Sequence, residues 1–244
     1  MLVAVALAVA SLTAVGFFAD RLQAGMARDA QALLGGDAVV ASDQPLPPDF
    51  ARTAAEMGLA AAQTASFPSM ARAADAQGGA TRLVSVKSVG AAYPLRGTLQ
   101  LAPNPTAPMA ATQRAPAPGT VWVDPAVLDA LALKVGDALL LGDATLRIAA
   151  VISAEPDRGA SFVNFAPRVM LAEADLAATA LVQPASRITW RLAVAAHDGR
   201  GQQSAVKGFV SWAEGRIDAA RIRGARVESL DGARPEMRQT LDRA

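Results

Sequence analysis

The sequence predicts an α+β fold, a split βαββαβ sandwich with an inserted small β-rich subdomain, preceded by an N-terminal transmembrane helix. Three observations lead to this prediction. The first nineteen residues carry no charged side chain. Strand-like and helix-like segments then alternate along the chain, and a proline-rich stretch interrupts them. With 244 residues, 52% of them apolar, the chain is long enough to bury a sizeable core.

Composition excludes several classes of function. The 23 basic and 22 acidic residues give a formal net charge of +1, and no block of like charges occurs, which argues against nucleic acid as a partner. The chain has no cysteine, so it forms no disulfide, thiolate nucleophile or cysteine metal site. The compartment stays open on this ground, because many exported proteins also lack disulfides.

The uncharged segment 1–19 predicts a transmembrane helix, because nineteen helical residues at about 1.5 Å each span roughly the 30 Å of a bilayer core. A cleaved signal peptide is the first alternative, but it needs a positive region before its apolar stretch. A buried soluble helix is the second, and it would need apolar cover on every side. Segment 20–35 continues at near-helical spacing to a glycine pair and predicts a helical stalk.

The segments 36–101 and 186–230 together predict one α+β subdomain. Its first part reads as a strand at 36–42, a helix at 49–58 and a hairpin of two strands that turns at Gly78 and Gly79. In the second hairpin strand, one face carries Leu83, Ser85, Lys87 and Val89, and the pattern is that of a half-buried sheet. Its second part reads as a long strand, a helix over 202–215 and a last strand.

The middle of the chain predicts an inserted subdomain. Residues 102–119 hold five of the fifteen prolines and no periodic apolar pattern, so they predict a loop. Residues 120–185 predict a β-rich unit with one helix, which Asp124 caps and Pro125 opens, and a hairpin across Gly142. The final residues, 231–244, predict the start of another helix.

No catalytic, cofactor-binding or metal-ligating residue is predicted. The chain has neither a GxGxxG nor a GxxxxGK[ST] motif, and it has no GxSxG elbow. His197, the one histidine, is interpreted as an exposed turn residue. The aspartates at 124, 137 and 143 fit cap and turn positions, and the three tryptophans fit core packing. A pair of glycosidase-type carboxylates is neither excluded nor favoured by the sequence.

Three phrases of the sequence resemble one protein family. They are LTAVGFFADRLQAGMARDAQALLGGDAVVASDQPLP, VWVDPAVLDALALKVGDALLLGDATLRIAAVI and NFAPRVMLAEADLAATALVQPASRITWRLAV. They resemble the first transmembrane helix and the periplasmic core domain of FtsX-like, MacB-type ABC transporter permeases, specifically the YbbP-like branch. The second phrase is the least specific, because GD before an apolar strand is a common turn.

The resemblance implies a function other than catalysis. Such permeases pair with an ABC ATPase and pass its motion through membrane helices to the periplasmic domain, a scheme called mechanotransmission. It also implies the bacterial inner membrane, contact with membrane lipid, and a periplasmic partner or a lipid, lipoprotein or peptide substrate. The resemblance implies that the subdomain of segments 36–101 and 186–230 is periplasmic and that 231–244 begins a stalk helix leading to a missing second span. Family members have at least four spans, so this chain is expected to be a fragment. The alternatives are a single-span adaptor or chaperone for apolar cargo and, more remotely, an enzyme that uses His197.

Overall fold

The computed structural model describes residues 2–159, 165–184, 186–197 and 203–229. Over residues 2–12 and at Gln23 the description covers the backbone alone. The expected stalk helix at 231–244, the turn after His197 and the start of the strand expected at 162–172 lie outside the described residues.

Five α-helices and eleven β-strands make up the described chain. The helices are α1 (Leu2–Leu34), α2 (Pro48–Glu56), α3 (Pro125–Leu131), α4 (Glu173–Leu176) and α5 (Gln203–Ala220). The strands are β1 (Ala38–Ser42), β2 (Leu59–Ala73), β3 (Thr81–Val89), β4 (Leu99–Ala102), β5 (Ala110–Thr112), β6 (Thr120–Val123), β7 (Ala138–Leu141), β8 (Ala144–Ala154), β9 (Arg168–Ala172), β10 (Thr189–Ala196) and β11 (Arg226–Ser229).

All eleven strands join in one mixed sheet, in the order β11-β1-β10-β2-β3-β9-β6-β8-β4-β5, with β7 bridging β2 and β8. Pairing is antiparallel except between β3 and β9 and between β6 and β8. In the four strands β11-β1-β10-β2 each strand is antiparallel to its neighbour; α2 connects β1 to β2, and α5 connects β10 to β11. This is the order expected of a βαββαβ arrangement, although hydrogen bonding runs on without a break into the strands of segment 120–185.

The core divides along the sheet. One cluster of buried side chains lies under α2 and α5 and includes Phe50 and Phe209. A second lies around α3 and draws on β2, β3 and β6 to β9, and a third, smaller one surrounds Tyr93 and Trp122. The helix α3 begins as expected, because the Asp124 side chain accepts the Ala126 N–H at 3.0 Å and Pro125 occupies the first turn.

Two sequence expectations need correction. The proline-rich stretch 102–119 contains the short strand β5, which pairs with β4, so the stretch is only partly a loop. Its prolines flank β5 and leave the amides of the strand free for the ladder. The inner half of β3, from Val84 to Val89, is buried on both faces. It is therefore not part of a half-buried sheet, because β2 and β9 flank it and the core clusters cover both its faces.

The predicted helix at the N-terminus is present as the first part of α1, which continues without a break through the expected stalk. Within the part of the chain that the structure describes, no helix is both long enough and apolar enough to cross a membrane. The span predicted over residues 1–19 therefore stays a prediction.

Candidate functional site: the junction of α1 with a buried ionic network

The end of α1 is held to the sheet through Asp37. Gly35 ends the helix in a left-handed conformation, with φ of +82°. The Asp37 carboxylate accepts Gln31 Nε2 of α1 at 3.0 Å, and it accepts Arg96 through Nε at 2.9 Å and Nη2 at 2.8 Å. It also accepts the backbone N–H of Ala196 at 2.8 Å. One partly buried carboxylate thus connects α1, the start of β1, the loop before β4 and the end of β10.

Two further contacts hold the same end of α1. Arg191 Nη2 of β10 donates to the carbonyl of Leu34 at 3.3 Å, which satisfies one of the last carbonyls of the helix with a cation. Gly97 lies so close to the helix that a Cβ there would be 3.2 Å from Ala32 and 2.7 Å from Pro156. Only glycine permits this approach, which packs α1 against the loop before β4 and the segment after β8.

Beneath this junction, charged side chains form a network inside the sheet. Lys87, near the C-terminal end of β3, is 3% exposed, and its Nζ donates to Asp157 Oδ1 at 2.7 Å and to Tyr93 OH at 2.9 Å. The same Nζ is 3.4 Å from Glu155 Oε2. Tyr93 in turn donates its hydroxyl to Asp157 at 2.5 Å. We refer to Lys87, Tyr93, Glu155, Asp157, Arg168 and Ser85 as the ionic network.

Arg168 completes the ionic network on its far side. Its guanidinium, 2% exposed, donates from Nε to Glu155 Oε1 at 2.7 Å, and a second bond runs from Nη2 to the same oxygen. Its Nη1 donates to Ser85 Oγ at 2.5 Å. Two cations thus face two carboxylates, so the buried charges balance. Removal of either member of such a pair is costly, because the remaining charge would be buried without its partner.

Two pKa shifts follow from this burial. Burial alone would raise the pKa of Asp157, but the charge of Lys87 and the hydrogen bonds from Lys87 and Tyr93 outweigh it, so the pKa lies below its ordinary value. The pKa of Tyr93 is raised well above 10.0, first by burial and then by the negative charges of Asp157 and Glu155. Both shifts keep the network in the protonation state that its hydrogen bonds require.

The ionic network reaches from α1 to an apolar groove. At the α1 end, a Cβ on Gly35 would be 3.1 Å from the Asp157 side chain. Along β3, Lys87, Ser85 and Leu83 project from the same face because side chains alternate along a strand. Leu83 lines a groove of about 630 Å³ together with Pro68, Phe165 and Pro167. Pro167 directly precedes Arg168 in the chain.

The structure places the residues weighed in the sequence as follows. His197 follows β10 and is exposed, and Trp122 and Trp190 are buried in core clusters. Among the described residues no group of three or more histidines and acids could hold a metal ion. Sequence reasoning missed the ionic network. One feature of the sequence does indicate the network, although weakly. Lys87 is one of only three lysines and lies within the strand VSVKSV, where a buried charge would need a partner.

Comparison with known proteins places this architecture in a class. The family model of MacB-like periplasmic core domains matches residues 1–212, so the chain belongs to that family. Members of the family are parts of ABC transporter permeases.

A particular relative is the uncharacterized ABC transporter permease YbbP of Escherichia coli K12. It is 34% identical over 209 residues, which cover 86% of this chain and 24% of that permease. The chain thus spans about a quarter of the length of this curated relative.

Two solved structures are more remotely similar. The extracellular domain of the noncanonic ABC-type transporter YknZ from Gram-positive bacteria is 9% identical, with a TM-score of 0.48, covering 79% of this chain and 100% of that one. A permease domain from Porphyromonas gingivalis is 12% identical, with a TM-score of 0.45, covering 80% and 88%.

Proposed function

We propose that this chain is the periplasmic core domain of an ABC transporter permease and that it transmits the ATP-driven motion of a partner ATPase. The observation that carries the proposal is the junction of α1. Asp37, Arg191 and Gly97 hold the last turns of the helix, and the ionic network lies directly behind them. A displacement of α1 would therefore move the sheet with it rather than bend a loose linker.

The same proposal places residues 1–19 in the inner membrane and the remainder in the periplasm. Its support is the uncharged sequence of the segment together with the exposed apolar side chains within it. Val15, Phe17 and Phe18 are 68%, 60% and 70% exposed, so the protein itself does not cover them. The lipid of the bilayer would provide that cover.

The transported material is proposed to be an envelope lipid, a lipoprotein or a peptide. The described residues support a binding or gating role rather than chemistry, because the buried charged groups pair with each other. Hydrolysis of ATP is assigned to the partner ATPase, which would act through membrane and cytoplasmic parts of the permease outside this sequence.

Affinity purification of the complete permease from its native membranes tests this proposal. We expect an ATPase with a Walker motif to copurify, to be encoded beside the permease gene, and to hydrolyse ATP in the purified complex. A substitution of its Walker lysine should abolish that hydrolysis and leave copurification intact. A permease that purifies without any ATPase, from a locus that encodes none, would contradict the proposal.

The second candidate is a membrane-anchored periplasmic adaptor or chaperone for apolar cargo. The apolar groove at Leu83 favours it, because such a surface could hold cargo without any ATPase. We would measure binding of a lipid or lipoprotein by the full chain purified from cells with and without the ATPase gene. Micromolar binding that is equal in the two preparations would support this candidate over force transmission.

A further inference from the structure

The outer end of the β2 and β3 pair presents an apolar patch. Met70 and Leu83 lie opposite each other in the ladder and are 50% and 53% exposed, and Phe165 is 79% exposed. The groove described above opens between these strands and residues 165–167, which precede β9. Clustered exposure of large apolar side chains is typical of an interaction surface rather than of ordinary surface scatter.

The backbone at the groove points to the kind of partner. The N–H of Ser85 donates to the carbonyl of Pro167 at 2.9 Å, so the polar groups of Ser85 face β9. Because successive residues of a strand direct their backbone N–H and C=O groups to opposite sides, those of Leu83 point to the same side as those of Ser85. If the parallel ladder of β3 and β9 continued past Ser85, the Leu83 carbonyl would accept the backbone N–H of residue 167. Residue 167 is a proline and has no N–H. The carbonyl of Leu83, a residue that lines the groove, therefore lacks this ladder donor.

Charge adds a second element of recognition. Arg82 lines the groove, is exposed, and makes no ion pair with any residue that the structure describes. The neighbouring Arg72 is already paired with Asp75. Arg82 is therefore the cation available to a ligand at this site, and it would favour a partner that carries an acidic group.

We propose that this groove binds an extended segment of a partner protein, apolar at its centre and with an acidic residue beside it. A backbone N–H of the segment donates to the Leu83 carbonyl, an apolar side chain fills the space between Pro68 and Phe165, and the carboxylate pairs with Arg82. A lipid chain would fill the same space but has no amide to donate. The proposal names a partner and is independent of whether α1 transmits motion.

Fluorescence anisotropy of the purified full chain with a labelled synthetic peptide tests the proposal. The peptide alternates threonine and valine around a central leucine and aspartate. We expect a dissociation constant in the micromolar range. Leu83→Glu should weaken binding about tenfold or more. Arg82→Glu should weaken binding of the peptide that contains aspartate, but it should not weaken binding of the same peptide with asparagine in place of the aspartate. Val182→Glu, which changes an apolar residue of similar exposure (40%) outside the groove, is the matched control and should bind normally.

Two further measurements distinguish a peptide from a lipid or a second copy of the chain as the occupant of the groove. A peptide with N-methylated amides around its leucine should bind at least about tenfold more weakly, since it cannot donate to Leu83. Equal binding of that peptide, or no binding of the parent peptide, would overturn the proposal. Binding of a fluorescent phosphatidylglycerol monomer, or self-association of the chain, that Leu83→Glu abolishes while the peptide fails to bind would assign the groove to lipid or to a second copy instead. Unchanged circular dichroism confirms that each variant is folded.

Discussion

Lys87 is the residue on which the interior depends most. Its ammonium is the common partner of Asp157, Glu155 and Tyr93, three groups that are themselves buried. Removing one partner from such a set costs more than the pair contributes, because the remaining charges stay buried without compensation. The position is therefore intolerant of neutral substitutes even though a methionine would fit the aliphatic part of the site.

We predict that Lys87→Met lowers the free energy of unfolding by about 3 to 5 kcal/mol. Urea denaturation followed by circular dichroism measures the change. Arg72→Met is the matched control, since it removes a cation from an exposed pair with Asp75 and should cost less than about 1 kcal/mol. Adding Asp157→Asn to Lys87→Met should recover part of the loss, because it removes one of the uncompensated charges.

The lowered pKa of Asp157 predicts an acid-sensitive fold. A carboxyl whose folded pKa lies below its unfolded value of 3.8 stabilises the protein above that value, and the stabilisation is lost as pH falls through the folded pKa. The free energy of unfolding should therefore decline as pH falls from about 5. The decline should be shallower in Asp157→Asn. Parallel pH profiles of the two proteins would show that this carboxyl does not contribute.

Little of this site is visible in the sequence. The partners of Lys87 lie up to 70 residues away along the chain, and Glu155, Asp157 and Arg168 each occur in segments that look like ordinary strand ends and turns. The alternation of Leu83, Ser85 and Lys87 does predict their common face. That Arg168 lies beside Ser85 depends on β9 running parallel to β3, a long-range pairing that periodicity does not contain.

At the scale of elements, local signals predict the strands and helices well. The strand at β1, the helices α2 and α3, the hairpin of β7 and β8 and the long strand β10 all appear where alternation, caps and glycines predict them. The strands β4 and β5 are not among the predicted strands, and the three small residues of β5, AAT, carry no alternating apolar signal. It exists because the edge of β4 is available to pair with it.

The turn between β7 and β8 gives an element-scale prediction. Gly142 has φ of +58°, and a Cβ there would overlap the backbone carbonyl of Thr179. Gly142→Ala should therefore lower the free energy of unfolding by more than about 2 kcal/mol. Gly119→Ala is the control, because Gly119 has a similar φ of +76° and open space around it, so backbone strain of about 1 kcal/mol should be its main cost. Equal losses in a denaturant series would show that the contact with Thr179 is unimportant.

At the scale of the whole molecule, the predicted membrane segment has a direct test. Because residues 1–19 carry no charge, the intact chain should sediment with carbonate-washed membranes and dissolve only with detergent. A chain that lacks residues 1–19 should be recovered in the soluble fraction without detergent. Recovery of the intact polypeptide in the soluble fraction, with its N-terminus still attached, would contradict the prediction.

The central claim is that α1 and the sheet move as one body, and the absence of cysteine allows a clean distance measurement. One spin label is attached at Leu22→Cys on α1, and the other at Val182→Cys in the segment that precedes β10 of the sheet. Both positions are exposed. Double electron–electron resonance should give one narrow distance distribution. That distribution should broaden when Arg96→Met and Arg191→Met remove the contacts to Asp37 and Leu34, and it should stay narrow in Arg72→Met. A broad distribution in the parent chain, or one that the paired substitutions leave unchanged, would contradict the account.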